Sequence, residues 1–259
     1  MGLIKTKGMV IAENSMGDFD KMLTILTPSG KIGCAAKNAK KPKSTLMAAS
    51  QFLCFGDYMI YKSAGSYHIN SAETIEVFYN LRIDLEKLDY AVFISKIVGD
   101  VTDENQNTYR ILQLLLNTMY MISETDKNLD LVLAIFELRL LCLLGFTPQI
   151  KTCSNCKKEE KITHFSLKEN GFLCEACSKQ DPASIRISEA TAQAIRYIVL
   201  APAKKIFSFD LVPESQKELE LVCKLYLNEK LEKEYRLEKM GDKIIVPKEK
   251  ITKSEEEKK

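Results

Sequence analysis

The period of the hydrophobic pattern changes near residue 80. Before it, apolar and polar residues alternate in short runs at 9–12, 22–27, 32–37, 52–61 and 67–77. Turn-rich stretches separate them: residues 14–18, Pro28-Ser29-Gly30, 40–44 and 63–66. Alternation puts every second side chain on one face, so these runs predict five β-strands with one long connection. Such strands suit a small closed barrel of the oligonucleotide-binding (OB) type, although periodicity alone leaves an SH3-like barrel open.

From Leu81 the spacing becomes helical. Leu85, Leu88, Val92 and Ser95 share one predicted face, and Leu112, Leu115, Leu116 and Met119 another. A third helix is predicted over 129–144, stopping at Gly145 with Pro148 beyond it. A further helix is predicted after Ser188, ending before Pro202, and a last one from Pro213 to about Leu237. The end of the chain, from Gly241, is rich in lysine and glutamate and reads as disordered. The expected fold is α+β and multi-domain. An OB-type five-stranded barrel occupies 1–80, and a helical domain 81–150 and 182–240. A four-cysteine zinc ribbon is inserted at 151–181, and 241–259 form a disordered tail.

Composition matters here mainly through its distribution. A formal net charge of +2 does not mark a nucleic-acid binder. Yet no acidic residue lies between Asp20 and Asp57, where Lys21, Lys31, Lys37, Lys40, Lys41 and Lys43 fall. The stretch 81–150 is acidic instead, with six Lys/Arg against ten Asp/Glu. No run reaches the roughly 18 apolar residues that span a bilayer, and the N-terminus lacks the pattern of a secretory signal. A cytoplasmic protein without a membrane segment is expected. Cys34, Cys54, Cys142 and Cys223 lie singly in apolar stretches and read as buried thiols.

The other cysteines carry chemistry. Cys153-x-x-Cys156 and Cys174-x-x-Cys177 are separated by 17 residues, a spacing found in zinc ribbons. Two residues between thiolates let the backbone aim both sulfurs at one ion, and two such knuckles complete a tetrahedral shell. A closed shell has no open position for substrate, so one structural zinc is predicted. Two redox Cys-x-x-Cys pairs, or thiols paired by coincidence, are the competing readings. His164, between the pairs, reads as surface or packing, and His68 as a half-buried strand residue. Gly30-Lys31 is followed by Ile32, so no phosphate-binding loop is formed, and nothing marks a catalytic centre.

The lysines are more informative. Lys37-Asn38-Ala39-Lys40-Lys41-Pro42-Lys43-Ser44 sets four ammonium groups in a loop stiffened by proline, a match for the repeated charge of a phosphate backbone. A plain solvated loop is the alternative. Phe19, Phe52, Phe55, Tyr58 and Tyr67 are candidates for base stacking, although most are expected in the barrel core.

Several stretches together resemble the RecO family of bacterial recombination mediators, over nearly the whole chain to about residue 240. Gly17-Asp18-Phe19-Asp20-Lys21-Met22-Leu23 is similar to that family's Gly-Glu-x-Asp-Arg-hydrophobic segment, and Leu26-Thr27-Pro28-Ser29-Gly30-Lys31 follows it. Residues 36–44 are similar to its Ala-Lys-Gly-Ala-Arg-Arg-x-x-Ser. Phe136-Glu137-Leu138-Arg139-Leu140-Leu141 and Leu144-Gly145-Phe146-Thr147-Pro148 resemble its junction with the ribbon. The departures are lysines in place of arginines at 21, 40 and 41, Asn38 for a usual glycine, and Lys157 for a common glycine. Asparagine tolerates a left-handed backbone, so the turn at 38 can survive. The segment after Glu229 follows the family's closing motif only loosely.

The resemblance implies a protein without a catalytic centre that binds single- and double-stranded DNA and anneals complementary strands. It further implies help for RecA in replacing the single-strand-binding protein. RecR and the acidic C-terminal tail of that protein are the implied partners, and the nucleoid the implied place. Lys37, Lys40, Lys41, Lys43 and Lys21 would be DNA contacts. Arg139 would receive the acidic tail, unless it is a surface charge near Glu137. An alternative from another class is a zinc-ribbon adaptor whose barrel binds RNA or protein in a transcription or translation assembly.

Overall fold

The computed structural model describes residues 2–63 and 65–239; the expected tail at 241–259 lies outside the described residues. Five strands close a barrel: β1 (Leu3–Met16), β2 (Asp20–Thr27), β3 (Gly30–Ala36), β4 (Phe55–Ser63) and β5 (Ser66–Glu76), in the order β1-β2-β3-β5-β4. A parallel contact between β3 and β5 (Cys34 with Tyr67, Ala35 with His68) makes the closure. This is the OB-like arrangement the pattern predicts.

β1 is much longer than its predicted core at 9–12. Its first half pairs with β4 (Leu3 with Tyr61) and its second with β2 (Met16 with Asp20). Its ends are mostly exposed and do not alternate between a buried and an open face; the backbone ladder pairs them, which a hydrophobic pattern does not register. Conversely, the strand predicted from 52 begins only at Phe55. Leu53 takes a left-handed turn (φ 65), and its N–H donates to the Val10 carbonyl at 2.9 Å. Inside the barrel pack Val10, Leu23, Ile25, Tyr58 and Ile60, the Tyr58 hydroxyl donating to the Ala49 carbonyl at 2.8 Å.

Met9, Ile11, Leu26 and Leu53 belong instead to the large core of the helical region, so the barrel docks on the helices through an apolar face. The β2–β3 turn seals this junction. Gly30 donates its N–H to Thr108 Oγ1 (2.9 Å), Lys31 N–H to the Asp103 carbonyl (3.1 Å) and Thr108 N–H to the Pro28 carbonyl (3.0 Å). Gly30 has φ +114, and a Cβ there would stand 2.4 Å from the Asp103 carbonyl oxygen. Only glycine fits.

The helices follow: α1 (Asn80–Ile83), α2 (Leu85–Val101), α3 (Tyr109–Glu124) and α4 (Leu129–Leu143). The ribbon comes next, with β6 (Ile162–Ser166), β7 (Gly171–Cys174), α5 (Glu175–Ser178) and β8 (Ile185–Arg186); α6 (Glu189–Leu200) and α7 (Pro213–Lys230) complete the fold. Side chains cap three starts: Asp84 accepts from Lys87 N–H, Asn128 from Leu131 N–H and Ser188 from Thr191 N–H. α4 is buried almost all round and is the central helix of the region.

Two sequence expectations need correction. The pattern predicts an α2 face of Leu85, Leu88, Val92 and Ser95, but Leu85 and Val92 are exposed while Tyr90, Phe93, Ile94, Ile97 and Val98 are buried. Enough of α2 is apolar to support either face, and docking against the barrel and α3 selects one. The last helix ends at Lys230, not near Leu237. Glu232 turns left-handed (φ 49), and Tyr235 folds back to donate its hydroxyl to Asp100 at 3.1 Å.

Candidate nucleic-acid interface and metal centre

After β3 the chain makes the turn at 37–44 and is tied at once to the β1–β2 hairpin. Asn38, at φ 57, adopts the left-handed backbone expected of a residue in a glycine position, and its N–H donates to Asp20 Oδ1 at 2.7 Å. Lys40 N–H donates to the Phe19 carbonyl at 2.9 Å, and buried Ala39 pins the loop to the barrel core. Lys37, Lys41 and Lys43 are exposed; Lys40 is half-buried, its Nζ 3.4 Å from the Gly17 carbonyl oxygen. None of the four forms a salt bridge among the described residues. Lys41 Nζ lies 5.1 Å from the centroid of the Phe19 ring.

Lys21 sits differently. Its side chain is 16% exposed and donates to Glu13 Oε2 at 2.9 Å and to the Ser50 carbonyl at 3.2 Å. Glu13 also accepts from Phe52 N–H at 3.0 Å, so the pair fastens the 50–52 connection to the barrel. Sequence reasoning missed Glu13, which lies outside the acid-free stretch. Residues 13 and 21 meet only because β1 and β2 form a hairpin.

In the ribbon, the sulfurs of Cys153, Cys156, Cys174 and Cys177 all lie within 4.8 Å of one another, with Cys156 and Cys174 at 3.7 Å. The first knuckle is closed by Lys157 N–H on the Cys153 carbonyl (3.0 Å) and Cys153 N–H on the Lys158 carbonyl (2.7 Å). Lys157 takes φ 63 there. Burial pushes the Cys153 thiol up, but N–H donors around Cys156, Cys174 and Asn155 outweigh it and hold the thiol below its ordinary range. Four sulfurs this close could hold one metal cation, each offering a single ligand atom. Gly171 lets the sheet meet the chain leaving α4: Phe172 N–H donates to the Gln149 carbonyl at 3.0 Å, and a Cβ on Gly171 would stand 2.3 Å from that oxygen.

His164 is outside the cluster, its Nδ1 2.9 Å from Thr163 Oγ1. His68, half-buried in β5, stacks on Tyr61 with centroids 5.2 Å apart. The lone thiols of Cys34, Cys54 and Cys223 are buried, that of Cys142 partly so. Burial pushes Cys34 up to about 12, which makes it unreactive.

Arg139 is not a surface charge paired with Glu137. Its Nη1 donates to the Ile198 (2.9 Å) and Val199 (2.7 Å) carbonyls in the last turn of α6. A cation there satisfies carbonyls that the helix itself leaves open. Glu137 points the other way and is only 4% exposed; burial pushes its carboxyl up to about 8, with Lys224 opposing and Glu220 adding to the shift. On α6, Tyr197 and Leu200 line a groove of about 620 Å³ with Phe209 and Leu211. No helix among the described residues is long and apolar enough to cross a membrane.

Comparison with known proteins agrees with this architecture. Residues 1–78 match the family described as Recombination protein O N terminal, and residues 82–239 the one described as Recombination protein O C terminal. DNA repair protein RecO of Acetivibrio thermocellus is 40% identical over 237 residues, covering 91% of this chain and 94% of that protein. DNA repair protein RecO of Bacillus subtilis is 31% identical over 229 residues, covering 88% and 89%. With both halves matched and relatives aligned over nearly their whole length, the chain belongs to the RecO family of DNA repair proteins.

Proposed function

We propose that this chain is a non-enzymatic recombination mediator. It binds single- and double-stranded DNA through the 37–44 loop, anneals complementary strands and, with RecR, helps load RecA onto DNA coated with single-strand-binding protein. The observation that carries the reading is the loop itself: four lysines, none in a salt bridge among the described residues, on a turn tied to the barrel. Ammonium groups without carboxylate partners can replace the counterions condensed on a phosphate backbone. Because the turn is already ordered, little loop entropy is lost on binding. Lysines act as point charges without arginine's bidentate fork, which favours sequence-indifferent contact. Lys21 supports this face from within; to reach a phosphate itself it would have to release Glu13.

In this reading the ribbon's metal is one structural zinc, the residence is the cytoplasm at the nucleoid, and the domain divisions are those expected from sequence. The groove beside α6 would receive the apolar end of the single-strand-binding protein's acidic tail, with Arg139 holding the helix end that shapes it. The test is annealing of complementary strands coated with single-strand-binding protein, without nucleotide. The wild-type protein should accelerate it, and the variant with Lys40, Lys41 and Lys43 all changed to alanine should not. No acceleration by the wild type, or a strong preference for structured RNA, would contradict the reading.

A further inference from the structure

The barrel's aromatic residues divide sharply by environment. Tyr58 is fully buried, and Phe52, Phe55 and Tyr67 are partly buried against the two cores. Phe19 is 49% exposed, at the tip of the β1–β2 hairpin. Exposed Met16 and Met22 lie near it in the same hairpin, and its ring contact is the Lys41 ammonium. The backbone beneath is not free to drift. The Phe19 carbonyl accepts from Lys40 N–H, and neighbouring Asp20 accepts from Asn38 N–H. An aromatic ring thus stands at a fixed height among the lysines assigned to phosphates.

We propose that Phe19 is a stacking platform for an unpaired base, giving this face a preference for single strands that the lysines alone cannot supply. The inference rests on the DNA-binding reading above. Lys41 holds a ring face in the free protein through a cation–π contact. A phosphate is the stronger partner for an ammonium, so binding a strand draws Lys41 off the ring and uncovers that face for the adjoining base. In a duplex the bases are already stacked on each other, and only the phosphate contacts remain. Every base has a π-face, so the preference is for single-strandedness rather than sequence.

The chain has no tryptophan, so Phe19→Trp introduces a single reporter at the site. Its fluorescence should be quenched by oligo-thymidylate and far less by an abasic strand of equal length. Phe19→Ala should lose roughly tenfold in affinity for oligo-thymidylate, while abasic-strand and duplex affinity and the salt slope stay unchanged. Phe19→Tyr should retain binding. If Phe19→Ala binds oligo-thymidylate as the wild type does, the stacking platform is wrong and the lysine interface stands. If the wild type binds no DNA, the DNA-binding reading fails and the platform falls with it.

Discussion

Residues 37–44 and residues 153–177 both gather like groups, one set ammonium and the other thiol, and the fold treats them in opposite ways. The lysines are spread over a turn, mostly exposed and, among the described residues, in no salt bridge, so their positive field faces solvent. The cysteines are drawn within 4.8 Å, three of them buried, in an arrangement a cation would neutralise. A charge cluster left open contributes to binding and little to folding. One closed around an ion contributes to folding and leaves no valence for substrate. Changes in the two regions should therefore have separable consequences.

The largest effect should come from the ribbon. Cys153→Ser or Cys174→Ser should abolish binding of about one zinc per chain, read by metal analysis of protein prepared under reducing conditions without chelator. The stability lost should be at least about 3 kcal/mol, or on the order of 10 °C in Tm, because a ribbon this small has little core without its metal. DNA affinity measured well below Tm should hardly move. A variant that kept its Tm but lost DNA binding would break the separation of the two regions.

A second test lies in the helical core. Glu137 has a folded-state pKa of about 8 against an ordinary value of 4.5, so the folded protein holds a proton there that the unfolded chain releases. Its contribution is fully present below about pH 4.5 and is lost as pH rises towards 8. Glu137→Gln, which keeps the neutral shape, should flatten that decline and raise Tm at pH 8 relative to wild type, with the salt dependence of DNA binding unaltered. Equal pH profiles for the two proteins would place an ionised, paired carboxylate at this position.

The smallest expected effect is at the first knuckle. Lys157 has φ 63, a conformation glycine adopts with less strain. Lys157→Gly should stabilise by about 1 kcal/mol, or roughly 2–4 °C in Tm, and slow zinc loss to a chelator. A loss of stability would show that the Lys157 Nζ contact with the Ser154 carbonyl (2.6 Å) outweighs the strain.

What could be read from the sequence follows from which forces leave a local trace. Thiolate spacing is local, so the set of four clustered cysteines is legible in full. The strands are legible where side chains alternate, but not at the ends of β1, where the backbone ladder continues without that alternation. Asn38 in a glycine position foretold its left-handed turn. The Lys21–Glu13 pair depends on the register of the β1–β2 hairpin, and the grip of Arg139 on α6 and the burial of Glu137 on chain segments far apart in sequence. No spacing rule reports them. α2 carries apolar residues on more than one side, and only the partner that covers it decides which are buried.

The central claim is that the loop lysines bind DNA through phosphate charge. The most direct measurement is affinity for a single strand as a function of salt, for the wild type and for the variant with Lys40, Lys41 and Lys43 replaced by alanine. At about −0.7 per phosphate contact, the wild type should show a log–log slope of roughly −2 to −3. The triple variant should lose about two units of that slope and bind all sequences more weakly alike, with zinc content and Tm unchanged. A triple variant that binds with the wild-type slope would make residues 37–44 an ordinary solvated turn and move the DNA site elsewhere on the molecule.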